Sequence, residues 1–172
     1  MGKAIVITGI DASVCGLGKV EFKTESKWLF GYDNSWFVTN NSGASFIGGT
    51  ASGKDFWFGS GFSKGENYFV GKNITKVRLY SSSIGSPTIK IGKRKSDGTF
   101  VYTNEKQISA GYNEFDLDYP ILLLDGETLA FNLAEENSRI SSKSVESSEY
   151  YGINFDSTSG KSTLFIDFFD SL

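Results

Sequence analysis

A chain of 172 residues is long enough to bury one core and short for two, so a single main domain is expected. Its 20 glycines, 15 phenylalanines and eight tyrosines, against two prolines and one methionine, favour turns and pleated surfaces over helix. The formal charge of −3 excludes the broad positive field that a phosphate backbone needs, the lone Cys15 excludes an internal disulfide, and no apolar run is long enough for a transmembrane helix.

Residues 1–24 read as an N-terminal leader and 25–172 as a β-sandwich domain. The apolar run from Ala4 stops at Gly9, passes into the flexible stretch Asp11 to Gly18, and a second strand runs from Lys19 to Thr24 with Val20 and Phe22 on its buried row. This bent lead-in either docks on a partner or serves as the first edge strand of the sandwich. Met1-Gly2-Lys3 with so short an apolar run predicts no signal peptide, and Val6 stands where a myristoylation signal wants Ser or Thr. Synthesis in a reducing cytoplasm follows as the expectation.

Trp28 to Val38 predicts a hairpin around Tyr32-Asp33-Asn34-Ser35, and Asn40 to Gly53 predicts a loop or weak strand around Phe46 and Ile47. Asp55 to Phe58 and Glu66 to Val70 predict a further hairpin across Gly59-Ser60-Gly61. From Lys72 to Leu133 the period is two. Val77 and Leu79 alternate with Arg78 and Tyr80, Ile89 and Ile91 with Lys90, Phe115 and Leu117 with Asp116, and Leu129, Phe131 and Leu133 with Ala130 and Asn132. Pro87 marks an edge or a strand beginning, and Asp97-Gly98 predicts a tight turn with positive φ at both residues. Ile121 to Leu124 is apolar on both faces and is expected deep in the core.

Ser138 to Glu149, rich in serine, predicts a solvated loop. Tyr150 to Phe155 and Ser162 to Phe169 then close the fold as two strands across Asp156 to Gly160. In the last strand Leu164, Ile166 and Phe168 share one face while Phe165 and Phe169 share the other, so it is either central or meets a partner. The fold class is all-β, an antiparallel sandwich.

Catalytic equipment is missing from the sequence. There is no histidine, which removes the usual triad base and commonest metal ligand, and a Gly-x-Ser-x-Gly elbow is absent. Gly48 to Lys54 has the spacing of a phosphate loop, but Asp55 stands where a magnesium-binding hydroxyl belongs. Asp116 with Asp118, and Asp125 with Glu127, lie two apart and could share a face as calcium ligands or a glycosidase pair; ordinarily such pairs line a solvent face. Lys93-Arg94-Lys95 reads as a solvated hairpin flank. No enzyme activity, cofactor or metal is expected. Binding potential sits in the aromatics Trp28, Tyr32, Trp36 and Trp57, which could stack on sugar rings, and Tyr68 falls in the same part of the chain.

Ala4-Ile5-Val6-Ile7-Thr8-Gly9-Ile10-Asp11-Ala12-Ser13, followed by Gly16-Leu17-Gly18-Lys19-Val20, resembles a leader found in proteins of tailed phages and prophages of gut Bacteroidetes. Asn73 to Leu79, Thr88 to Gly92, Gly111 to Leu117 and Asp125 to Phe131 are similar to the jelly-roll-like, carbohydrate-binding-type sandwiches carried by such virion proteins. Some relatives append an SGNH-type esterase, whose Gly-Asp-Ser block and late Asp-x-x-His are both missing here. The resemblance implies a non-enzymatic virion accessory protein, made in the host bacterial cytoplasm, that docks on capsid, fibre or tail proteins. Ile5, Val6, Ile7, Thr8, Gly9, Asp11, Ser13, Phe165 and Phe169 are its expected assembly contacts, with self-association left open. The alternative is a glycan-binding adhesin domain of a fibre using Trp28, Tyr32, Trp36 and Trp57; neither reading involves nucleic acid or membrane.

Overall fold

The period-two alternation becomes strands. The structure, a computed structural model, describes residues 25–31, 45–48, 54–59, 62, 64–65, 67–133, 135–144, 153–155, 158–160 and 162–171. Among these run β1 (Lys27–Trp28), β2 (Ser45–Gly48), β3 (Lys54–Trp57), β4 (Asn73–Ser81), β5 (Thr88–Arg94), β6 (Phe100–Gln107), β7 (Gly111–Leu122), β8 (Thr128–Leu133), β9 (Arg139–Ser144), β10 (Ile153–Phe155), β11 (Thr158–Gly160), β12 (Ser162–Leu164) and β13 (Ile166–Asp170), with no helix among the described residues. The leader residues Ile5, Val6, Ile7, Thr8, Gly9, Asp11 and Ser13, and the expected hairpin residues Tyr32 and Trp36, lie outside the described residues.

Every pairing is antiparallel, and the strands form two sheets. In the first sheet β13 lies between β1 and β4, β4 pairs on its other side with β7, and β9 carries β2 and β12 and meets β4 at Ser81 and Ile140. The second sheet runs β11-β10-β3-β8-β5-β6. Ile74, Val77, Leu79, Ile166 and Phe168 from the first and Phe56, Ile89, Ile91, Leu129, Phe131 and Leu133 from the second join in one buried cluster. Two antiparallel sheets enclosing one core is the arrangement of a β-sandwich. Each such side chain contributes roughly 1.5–3 kcal/mol by leaving water.

Five expectations are corrected. The closing segment forms four short strands, not two: β11 falls in the expected turn and pairs with β10 in the second sheet, while β12 pairs with β9 and β13 with β4 in the first. Asn67 to Gly71 turns rather than extends: successive bonds from Gly65 N–H to Phe62, Tyr68 N–H to Gly65 and Lys72 N–H to Phe69 coil the chain so that Phe62 and Phe69 stack 5.4 Å apart inside the core. Phe58, Phe30 and Phe168 surround them, so aromatic packing overrides the strand pattern. The serine-rich segment is strand β9 as far as Ser144, with Ile140, Ser141 and Ser142 buried between β2 and β12. Its entry is sewn to β4 by hydroxyls: Ser83 Oγ accepts the Arg139 N–H at 2.8 Å, and Ser81 Oγ lies 2.8 Å from the Arg139 carbonyl. Just before β9 the buried Ser138 Oγ donates to the Thr88 carbonyl at 3.2 Å, so the hydroxyls at this entry have partners in place of water.

At Asp97-Gly98 only Gly98 has positive φ. Gly98 N–H bonds the Lys95 carbonyl at 2.9 Å and Lys95 N–H bonds the Thr99 carbonyl at 2.8 Å, so Ser96-Asp97 form an ordinary turn and Gly98 supplies the left-handed step after it. The Asp97 carboxylate is committed to the Thr99 N–H at 2.9 Å, which holds its pKa below the ordinary value. Last, only half of Ile121 to Leu124 is core. Ile121 and Leu123 are buried, whereas Leu122 and Leu124 are 52% and 58% exposed.

The terminal strand β13 is interior, flanked by β1 and β4. Its outward side holds Asp167, fully buried, whose carboxylate receives Arg78 Nη2 from β4 at 2.9 Å, Phe30 N–H at 2.9 Å and Phe168 N–H at 2.8 Å. The Trp28 ring covers the Arg78 guanidinium at 4.2 Å and meets Phe169 edge-on at 5.2 Å. One carboxylate thus joins β4, β13 and the point where β1 ends. Burial pushes the Asp167 carboxyl above its ordinary value and outweighs the two N–H groups and Arg78, which marks the pair as costly to desolvate. Replacing Asp167 with Leu leaves a buried cation and is expected to remove about 3–5 kcal/mol in a urea titration. Arg78→Met with Asp167→Leu is expected to regain the larger part, and a single variant of wild-type stability would contradict the assignment.

Candidate functional site

The two outer faces of the sandwich differ. On the second sheet, cross-strand pairing sets Trp57 of β3, Ala130 of β8, Gly92 of β5 and Tyr102 of β6 in one row. Beside it run Thr128, Arg94 and Phe100 on one side and Asp55, Asn132, Lys90 and Glu105 on the other. Tyr102 donates its hydroxyl to Asp55 Oδ1 at 2.5 Å although β5 and β8 separate their strands. That reach requires the phenol to lie along the sheet, over the two small residues. Asn132 Nδ2 donates to the same carboxylate oxygen at 2.7 Å. Burial, then the bond to Asp55 and its charge, pushes the Tyr102 phenol well above its ordinary value, so the hydroxyl stays a donor.

Gly92 is required for this layout. The β5–β6 register shifts between Ile91 and Gly92, and a Cβ on Gly92 would stand 1.9 Å from the Val101 carbonyl oxygen. The Phe100 ring lies parallel to Tyr102 at 6.2 Å and touches Trp57 at 5.5 Å, and all three rings keep part of their surface open. The Arg94 guanidinium sits 5.2 Å from the Trp57 ring and 6.0 Å from Phe100, and no carboxylate among the described residues pairs with it. Phe100 and Tyr102 lie parallel, Trp57 is tilted 60° against Phe100, and Arg94 contacts Trp57 and Phe100, an arrangement able to stack an apolar ring face and bind an anion beside it.

The second candidate surface is a rim. Opposite the single residue Thr75 of β4, β7 takes the whole stretch Leu117 to Pro120 and leans toward β6. There Asn104 of β6 stands in for a strand, accepting Tyr119 N–H at 3.0 Å and donating to the Tyr119 carbonyl at 2.9 Å, while Lys106 bonds Asp118 at 2.6 Å. Tyr119 and Pro120 within this excursion, and Leu122 and Leu124 after it, stand exposed. Glu127 fixes the far end: its Oε2 accepts the Leu124 N–H at 2.9 Å and Lys93 Nζ at 2.6 Å, and Lys93 also donates to the Leu122 carbonyl at 3.2 Å. Burial alone would raise the Glu127 pKa, but the Lys93 bond, the Leu124 N–H and the positive charges of Lys93 and Lys95 bring it below the ordinary value.

Trp28 and Trp57 lie on the outer faces of different sheets and share no platform; Trp28 covers Arg78. Phe165 has no exposed surface, and Phe169 is half-buried against Trp28. Asp116 and Asp118 are divided between Lys76 and Lys106, and Glu127 is engaged by Lys93. Among the described residues no group of His, Cys, Asp and Glu is arranged to hold a metal, and no helix is long and apolar enough to cross a membrane. Sequence reading named Trp57 and missed Arg94, Phe100 and Tyr102 as its neighbours, because β5, which carries Arg94, and β6, which carries the two rings, lie two and three places from β3 in the sheet. In comparisons with known proteins the chain matches no family model, no curated protein and no solved structure.

Gly92→Ala is expected to cost about 3 kcal/mol, because the obstructing atom is backbone; a denaturation midpoint equal to wild type would contradict the close approach. Glu127 carries a lowered folded pKa, so its contribution is present above its ordinary value near 4.5 and is lost as pH falls through the folded value. NMR titration is expected to show the Glu127 carboxyl protonating below that ordinary value, with the Leu124 amide moving in step. Titration at or above it would remove the Lys93 clamp.

Proposed function

We propose that this chain is a non-enzymatic accessory protein of a phage particle, a jelly-roll-like sandwich that docks on capsid, fibre or tail proteins through the rim of β7. The observation that supports docking is the set of exposed apolar residues Tyr119, Pro120 and Leu122 on the edge strand β7 and Leu124 just past its end. The edge itself is blunted by Asp116, Asp118, Pro120 and the register shift, whereas the side chains of Tyr119, Leu122 and Leu124 beside Asn104 and the Lys93–Glu127 clamp leave an apolar rim with the character of an interface core. The phage setting rests on the likeness of the leader Ile5 to Ser13 and of the sandwich segments to virion proteins. Phe165 is interior, so the rim takes over the docking role for which Phe165 and Phe169 were the first candidates.

Leu122→Glu with Leu124→Glu changes only exposed side chains and is expected to leave stability within about 1 kcal/mol. Incorporation into particles, measured by quantitative mass spectrometry of purified virions, is expected to fall at least about tenfold, the loss of about 1.4 kcal/mol of docking. Deleting residues 1–18 separates the leader's share of the docking from the rim's. Undiminished incorporation of the double-Glu variant would overturn the rim, and absence of the wild-type chain from virions would overturn the phage setting.

A further inference from the structure

We infer that the outer face of the second sheet is a binding site for a carboxylated sugar, whose apolar ring face lies on the parallel rings of Phe100 and Tyr102 against the tilted Trp57 ring, while its carboxylate meets Arg94. The inference goes beyond the docking reading and does not rest on it, since this face and the β7 rim are separate surfaces. The rings supply what a pyranose recognises. They are close and partly open, with Phe100 and Tyr102 within 5° of parallel, and Gly92 and Ala130 beneath them leave no side chain in the way. Sugars present alternate C–H faces and hydroxyl edges, so an aromatic floor bordered by polar groups suits both.

The charge pattern selects the acidic class. Lys90 is paired with Glu105 at 3.3 Å, and the Asp55 carboxylate is occupied by Tyr102 and Asn132. Arg94 is the cation of this face left without a carboxylate among the described residues, and ring contacts hold its planar fork beside the aromatic floor. A guanidinium offers paired N–H donors that match a carboxylate in a bidentate way, which a lysine would not. Uronic acids and sialic acids both carry a ring and a carboxylate, so either source satisfies the site.

The test uses the full chain, isotope-labelled, with a hyaluronan tetrasaccharide and 3′-sialyllactose as the acidic probes and lactose as the neutral one. Saturable shifts of the Trp57 indole N–H are expected with at least one acidic probe, at least about tenfold tighter than with lactose. Arg94→Gln is expected to erase that preference while Lys95→Gln, an exposed neighbour with no ring contact, retains it. The two acidic probes decide which source the site prefers. No saturable shift with either acidic probe up to about 10 mM would overturn the site. Equal binding of lactose, or an equal loss with Lys95→Gln, would overturn the role of Arg94. The comparison of probes on the wild-type chain stands even where a variant is poorly folded.

Discussion

The fold depends on the burial of two facing apolar rows in one core. Val77 and Leu79 of β4 with Ile166 and Phe168 of β13 meet Ile89 and Ile91 of β5 with Leu129, Phe131 and Leu133 of β8. Period two then sends the intervening residues to the outer faces, where each sheet uses them differently. The first sheet closes its face around Arg78, Asp167 and Trp28. The second leaves Trp57, Phe100 and Tyr102 part-open, with Arg94 against the first two.

Two local departures from regular pairing create the surfaces that can act. At Gly92 the ladder shifts and β6 comes against the glycine, which lets the Tyr102 ring reach Asp55 across the sheet. At Thr75 the partner strand β7 swings away toward β6 and returns with Leu122 and Leu124 outward. Bulges of this kind re-aim side chains without disturbing the core beneath them. Neither surface needs a titratable reaction centre, and both suit recognition by shape, apolar contact and one fixed charge.

The strands of the central stretch were legible because alternation directly records a sheet with one buried face, and Pro87 marks a strand beginning, just before β5. What escaped had physical causes outside local pattern. The apolar text of Ile121 to Leu124 looks like core from either side, and only the position of β7 at an edge exposes its second row. Residues 67–71 resemble a strand until Phe62 and Phe69 stack. The serines of β9 look soluble until Ser81 and Ser83 bond its entry. The platform was legible only in Trp57, since the order β3-β8-β5-β6 that brings Phe100 and Tyr102 to it is a property of the whole sheet.

The proposed function divides the labour between a rim that docks and a face that stays free. The most direct test is an image reconstruction of intact particles at a resolution that traces this chain. Docking through the rim predicts residues Tyr119 to Leu124, at the end of β7 and just past it, seated on a neighbouring protein and the Trp57, Phe100 and Tyr102 face turned to solvent. A reconstruction with that face buried against another protein and the rim in solvent would contradict it.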